Sequence, residues 1–381
     1  MAGIYVHLPF CVRKCPYCDF VSYTNPSVSF AAYVDAICTE ARNRRHEARG
    51  ITFDTIYIGG GTPSLLPAPL IDMLLSCIAG AFSFSDAWES LEISIEANPE
   101  SVSAPWLDSI RRSGVNRISI GVQDLSEAGL ETLRRPHGTE DALKALSLAD
   151  GIGFPSVNMD MIFGIPGQTV KDLETSIEAA CATGVDHISY YELTAEPQTG
   201  LYRDVESGST VMPDQELLTQ MTDLVESMLE AHGFHQYEIS NFARPGHECR
   251  HNLNYWDNGP YLGLGVSAVS YLNGFRCRNT ESLEEYVGLV SKGQSPVTFT
   301  EHLDTEASFR ETVILGLRTN RGISIERIQE RFGIDPLQYY KDRGVIIEDL
   351  VDGGLIMTDH NMIRLTKRGR RIANRVLGLL V

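Results

Sequence analysis

No stretch of this 381-residue chain holds eighteen consecutive apolar residues, so no helix it encodes is long enough to cross a bilayer, and the closing run Val376 to Val381 is far too short. Basic charge is also scarce. Thirty-two Lys and Arg stand against fifty Asp and Glu, a formal charge of −18, which repels polyanions and argues against nucleic acid as the principal ligand. Pro-rich, Gln-rich and collagen-like bias is missing, and with 43% hydrophobic and 22% charged residues the composition is that of a folded globular protein. The opening MAGIYVHLPF has no basic segment followed by an apolar one, so no secretory leader is expected and the expected compartment is the cytoplasm. Peripheral contact with a membrane stays open, as does the oligomeric state.

A disulfide framework is not expected either. In such a compartment eight cysteines read as thiols, metal ligands or small buried apolar groups. Cys38, Cys77, Cys181, Cys249 and Cys277 are scattered, whereas Cys11, Cys15 and Cys18 are not.

Six β-rich runs alternate with helix-period stretches: Ile4–Leu8, Thr52–Ile58, Leu91–Glu96, Asn116–Val122, Val157–Phe163 and His187–Leu193. That alternation predicts an α/β fold, an open (β/α)6 partial barrel with its functional groups at the carboxyl ends of the strands. Between the runs, Phe30, Val34, Ile37 and Ala41 share one helix face, as do Ile71, Leu74, Leu75 and Ile78. Thr169 and Asp172 stand at capping-box spacing, with Gly184 as terminator. The expected organisation is a barrel over 1–235, an irregular Gly- and Asn-rich segment packed on it over 236–297, and a small winged-helix-like domain over 298–381. Residues 361–381 of that domain carry six basic side chains and no acidic ones, a pattern that fits a solvated terminal helix or, in isolation, a nucleic-acid or acidic partner.

Cys11-Val-Arg-Lys-Cys15-Pro-Tyr-Cys18 follows the first strand directly, so one short loop presents three thiolates at a strand's carboxyl end. A [4Fe-4S] cube commonly takes four cysteines, and a loop supplying three leaves one iron open to an outside ligand. Such an iron can bind the amino and carboxylate groups of S-adenosylmethionine, and one electron can then break the sulfonium bond. The spacing alone also fits structural zinc with His7 as a fourth ligand, a redox cysteine pair, or chance.

The sequence Tyr5-Val-His-Leu-Pro-Phe-Cys11 with its following cysteines resembles the radical SAM signature of the oxygen-independent coproporphyrinogen III dehydrogenase family. The likeness continues in order through Gly59-Gly60-Gly61-Thr62-Pro63, Glu96-Ala-Asn-Pro99, Ser119-Ile-Gly-Val-Gln123, Asp160-Met-Ile-Phe-Gly-Ile-Pro-Gly167 and Tyr191-Glu-Leu-Thr194, and covers most of residues 4–275. The resemblance implies that Gly60, Gly61 and Thr62 hold the methionine portion of S-adenosylmethionine. It also places Tyr5, Tyr17, Glu96, Gln123, Arg135, Asp160 and Thr194 around that cofactor.

The dehydrogenase has a further cysteine two positions after the third; here that position is Phe20. The departure puts porphyrinogen decarboxylation in doubt and resembles the heme-binding HemW branch of the family. His251-Asn252-Leu253-Asn254-Tyr255-Trp256 is similar to that branch's HNxxYW segment, which implies heme contact by His251, Asn252, Tyr255 and Trp256. An imidazole can ligate iron and the two aromatic rings can lie against a macrocycle. The function so implied is a heme chaperone that passes heme to an acceptor hemoprotein, its electron donor unknown. A tetrapyrrole-modifying radical enzyme is the alternative.

Overall fold

A computed structural model describes residues 1–345 and 347–380. The six β/α units are there. Parallel strands β1 (Gly3–Leu8), β2 (Thr55–Gly60), β3 (Glu92–Ala97), β4 (Arg117–Gln123), β5 (Ser156–Phe163) and β6 (His187–Glu192) pair in sequence order. Helices α1 (Phe30–Arg44), α2 (Ala68–Ala81), α3 (Ala104–Arg112), α4 (Glu127–Thr132), α5 (Thr139–Ile152) and α6 (Val170–Ala182) connect them. Val34, Ile37, Ala41, Ile71, Leu74 and Ile78 are fully buried against the sheet, as their spacing requires. The α6 capping box forms: Thr169 accepts from Asp172 N–H while the Asp172 carboxylate accepts from Thr169 N–H. One predicted strand breaks, because Asp54 turns to accept Ala2 N–H (2.7 Å). Thr52–Phe53 therefore leaves the barrel to pair with Ser83–Phe84, and β2 begins at Thr55.

After α7 (Gly200–Glu206) and α8 (Gln215–Ala231), the segment expected to be irregular is instead built from regular elements. β7 (His235–Gln236) and β8 (Asn241–Ala243) extend the sheet antiparallel beyond β6. On the other side, β9 (Tyr261–Leu264) adds parallel to β1 and is followed by antiparallel β10 (Val269–Leu272), β11 (Phe275–Asn279) and β12 (Val297–His302). The sheet is therefore an open, twelve-stranded one with both barrel edges covered by later strands. Glycine and asparagine mark the turns between these short strands, which is why composition alone suggested a loop.

Helix α9 (Arg250–Trp256) lies under the barrel at the amino ends of its strands. The Glu92 carboxylate, at the start of β3, accepts the Arg250 and His251 N–H groups (both 2.8 Å) and so satisfies donors at the helix start. Helix α10 (Leu283–Ser291) packs beside α1. The second domain has a separate core centred on Phe309, Val313, Ile356 and Ile363. It joins α11 (Thr305–Gly316) and shorter helices to a three-stranded sheet of β13 (Ile323–Ser324), β15 (Met362–Leu365) and β14 (Ile356–Asp359), a winged-helix-like arrangement. Its sheet begins only after β12, so the expected boundary at 298 moves past His302. Within the basic tail, Lys367 and Arg371 pair with Asp223 and Glu226 of α8, so part of that charge holds the domain to the barrel.

The later strands are locked to the barrel through Glu40 of α1, 1% exposed. Its carboxylate accepts from Arg44 (3.1 Å), Gly265 N–H (2.9 Å), Asn279 (2.8 Å) and Tyr286 (2.6 Å). Removing it leaves three donors without this acceptor and takes from the buried Arg44 one of its two carboxylate partners, Glu47 being the other. Glu40→Ala is expected to lower unfolding free energy by roughly 3–5 kcal/mol in urea titrations, while Glu47→Ala, on the solvent side of the same arginine, costs less than about 1 kcal/mol. Equal effects would contradict this.

Candidate functional site

The cysteines sit on a loop whose two ends are tied together. Cys11 N–H donates to Tyr23 O (3.1 Å) and Tyr23 N–H to Pro9 O (2.6 Å), closing residues 11–22 into a compact excursion from β1. Cys18 N–H donates to Cys15 O (3.2 Å), and Leu201 N–H to Pro16 O (2.7 Å) fastens the loop to α7. All three thiols are free and half-buried. Burial pushes those of Cys11 and Cys18 above their ordinary value, so a metal must displace protons there. Thr62 Oγ1 points at Cys11 Sγ (3.6 Å) and Arg135 Nη1 at Cys15 Sγ (3.3 Å), both donors that favour thiolate.

Among the described residues no three His, Cys, Asp or Glu side chains converge on one ion. The thiols instead border a cavity of about 450 Å³ at the carboxyl ends of the strands. His7 is not a fourth ligand: Nε2 donates to Val21 O (2.8 Å) and Nδ1 accepts from Tyr5 (3.0 Å), with burial pushing its pKa down. The zinc reading that enlisted it is not met.

The cavity's far wall is made by the other strand ends. At the end of β2, Gly60 has φ +115°, and a Cβ there would lie 2.6 Å from the His7 ring. One on Gly61 would lie 2.6 Å from Phe10 O, so glycine is what lets this turn close against the cysteine loop. Gly61 N–H and Thr62 N–H donate to Leu8 O (2.8 Å) and Phe10 O (2.7 Å). Glu96 accepts from Gly60 N–H (3.0 Å) and Tyr57 (2.9 Å). Burial first, then the charge of Asp160, pushes its carboxyl up to about 7. Asp160, accepting from Ser119 (2.7 Å) and Asn158 (2.8 Å), is also raised by burial. Gln123 sits at a bulge in β4 with φ +67°, and its buried Oε1 has no partner among the described residues. Arg135 donates to Asn98 and Gly121 O (both 3.0 Å), leaving its buried Nε unpaired.

Tyr17, Gly60, Gly61, Thr62, Glu96, Gln123, Arg135, Asp160 and Thr194 all line this cavity. Tyr5 does not. It stacks on Tyr57 (6.3 Å between centroids) and borders a second cavity of about 350 Å³. Of two neighbouring arginines, Arg134 points outward to Asp204 (3.0 Å) and Arg135 inward. Sequence reasoning missed Tyr57, Ser119 and Asn98, which tie Glu96, Asp160 and Arg135 in place. Tyr57 was findable, since it shares the period-two face of Gly59; Asn98 and Ser119 lay inside motifs already noted.

The HNxxYW segment is α9, at the opposite end of the barrel. His251 is buried, its Nδ1 hydrogen-bonded with Thr55 (2.8 Å) and its Nε2 with Tyr255 (3.0 Å), and burial drops its pKa to about 3. Both ring nitrogens are occupied in this fold, so a heme contact by His251 would require one of these bonds to open. Tyr255 reaches the second cavity beside Tyr5, while Asn252 and Trp256 are half-buried on the same short helix.

Three thiols, a glycine cradle and buried acceptors fit a [4Fe-4S] cluster and S-adenosylmethionine. The unpaired Gln123 oxygen and Arg135 Nε offer hydrogen bonds, and two raised carboxyls face a place where a cation would be welcome. The fold and site define a radical SAM barrel. In keeping with this, residues 5–180 match the radical SAM superfamily and residues 303–372 the HemN C-terminal domain. The chain is 36% identical to the heme chaperone HemW of Bacillus subtilis, across 99% of this chain and 98% of that one. It is 40% identical to the heme chaperone HemW of Escherichia coli, across 74% and 73%. Among solved structures, coproporphyrinogen III oxidase (HemN) of Escherichia coli superposes with TM-score 0.87 at 24% identity, across 100% of this chain and 89% of that one, a likeness of fold. The chain belongs to the HemW heme chaperone family of radical SAM proteins.

Because the Glu96 carboxyl is raised from 4.5 to about 7, the folded protein keeps a proton that the unfolded chain releases. Its contribution is whole below pH 4.5 and lost as pH rises through 7, on the order of 3 kcal/mol. Glu96→Gln, which imitates the protonated carboxyl, is expected to flatten this part of the stability profile in urea titrations at pH 5 and pH 8. An unchanged slope would count against a neutral Glu96.

Proposed function

We propose that the protein binds heme and passes it to acceptor hemoproteins in the cytoplasm, with a [4Fe-4S] cluster and S-adenosylmethionine tuning that transfer. Similarity across nearly the whole chain to relatives named as heme chaperones carries the reading. Phe20, standing where the dehydrogenase resemblance calls for a further cysteine, agrees with it. No helix among the described residues is long and apolar enough to cross a membrane, which is compatible with a cytoplasmic site of action. With −18 net charge and part of the basic tail paired to α8, nucleic acid is a poor partner.

Cys11, Cys15 and Cys18 would hold the cluster. Gly60, Gly61 and Thr62 would offer backbone groups to the methionine portion of the cofactor, while Tyr17, Glu96, Gln123, Arg135, Asp160 and Thr194 would enclose the rest. When bound, the pair supplies one-electron cleavage of a sulfonium bond. Glu96 and Asp160 would ionise as a cationic ligand arrives, matching its charge within a dry wall. Arg135 bridges the Cys15 thiol and Asn98, so it couples cluster loop to cofactor wall.

Hemin titration and assay of the reduced, cluster-loaded protein with coproporphyrinogen III and S-adenosylmethionine test the proposal. Hemin is expected to bind and protoporphyrinogen not to form; protoporphyrinogen formation would favour the dehydrogenase instead. His251→Ala is expected to leave hemin affinity unchanged and to lower the melting temperature, since it removes a packed, doubly hydrogen-bonded ring. Loss of hemin binding in a folded variant would return His251 to the heme site.

A further inference from the structure

The cysteine loop exposes apolar and cationic side chains together. Val12 and Phe20 are 63% and 62% exposed, two large apolar side chains on one loop. Between them Arg13 and Lys14 are exposed as well. These two cations line both the main cavity and a neighbouring one of about 510 Å³, whose wall adds Arg134 and Arg203. Asp19 is that wall's one acidic residue. In a chain of net charge −18, four cations around one hollow are a local reversal of the field. Lys14 and Arg203 donate to neutral carbonyls, Phe20 O (3.1 Å) and Gln198 O (3.0 Å), which leaves their charge uncompensated by those bonds. Arg134 is paired with Asp204 at the surface.

Exposed apolar side chains on a loop that also carries cations suit a flat amphiphile with carboxylates at its margin. Aromatic rings pack well against a planar π-system, and guanidinium groups take carboxylates by paired, charge-assisted hydrogen bonds. Resting on the heme-binding reading above, we infer that heme docks on the outer face of the cysteine loop, its macrocycle against Phe20 and Val12 and its propionates toward Arg13, Lys14, Arg134 and Arg203. His251 sits at the amino ends of the strands, while Phe20 also borders the second cavity, which Tyr5 and Tyr255 line. Docking on this face brings the cargo beside the cluster loop, at the mouth of the cavity that S-adenosylmethionine would fill, which Arg13, Lys14 and Phe20 also line. An acidic protein would meet the same cations but has no need of the exposed Phe20.

The test is equilibrium binding of hemin and of hemin dimethyl ester, which lacks the free carboxylates, to cluster-loaded protein. Wild type is expected to prefer hemin. Arg13→Glu/Lys14→Glu is expected to weaken hemin at least tenfold and to abolish the preference, and Phe20→Ser to weaken both ligands alike. Arg134→Glu/Arg203→Glu, which leaves the cysteine loop untouched, serves where a loop variant loses iron or sulfide, and is expected to reduce the preference too. Wild-type hemin affinity and preference in these variants would overturn the docking face while heme binding itself stands. The same would follow if only binding of an acidic redox protein fell. Failure of wild type to bind hemin at all would remove the functional reading with it.

Discussion

The pairing of Phe10 with Tyr23 closes the loop on which the rest of the site depends. Three thiols on a free excursion would each carry their own conformational entropy, and ordering them would tax every binding event. Two backbone hydrogen bonds at the neck, and one from Leu201 at the tip, settle most of that cost during folding. The neck also dictates its surroundings. Phe10 packs on Phe30 and Tyr33 of α1 (4.7 and 5.2 Å between centroids), and the β2 turn must pass so close to the Phe10 backbone that only glycine fits at Gly61.

The barrel interior is unusually polar, and its two ends do different things. At the carboxyl end, burial raises the proton affinity of both Glu96 and Asp160, and the charge of Asp160 adds to the effect on Glu96. At the amino end the large polar groups are held in a bonded network: Arg117 donates to Ser156 (2.7 Å) and His247 O (3.1 Å), His187 bridges Asn158 (2.5 Å) and Tyr237 (2.8 Å), and His251 bridges Thr55 and Tyr255. Partnerless polar atoms of Gln123 and Arg135 beside a cavity at one end, and a network of bonded rings and guanidinium at the other, fit a binding mouth above a structural plug.

Period-two and period-3.6 patterns made the six barrel strands and their helices legible, because each element buries one face against a common core. Chemistry at strand ends was legible for the same reason: Glu96, Gln123 and Asp160 fall where alternation points them at one mouth. What failed lacked periodicity. The strands between 233 and 302 are too short to alternate visibly, and their pairing with β1 and β6 is a long-range fact that no local window holds. Tyr5 alternates correctly yet lines the second cavity, its hydroxyl bonded to His7 and its ring stacked on Tyr57. His251 shows the limit of a motif: the residue types suited a heme ligand, but Gly3 and Thr55, nearly two hundred positions away or more, make room for the ring and occupy its nitrogen.

The central claim is that the protein gives a [4Fe-4S] cluster three ligands and leaves one iron for S-adenosylmethionine. Electron paramagnetic resonance of the anaerobically reconstituted, reduced protein, recorded with and without S-adenosylmethionine, tests it most directly. The account expects a reduced-cluster signal whose line shape changes on addition of the cofactor and which Cys15→Ala destroys. A protein that takes up zinc in place of iron, or a cluster signal indifferent to S-adenosylmethionine, would contradict it.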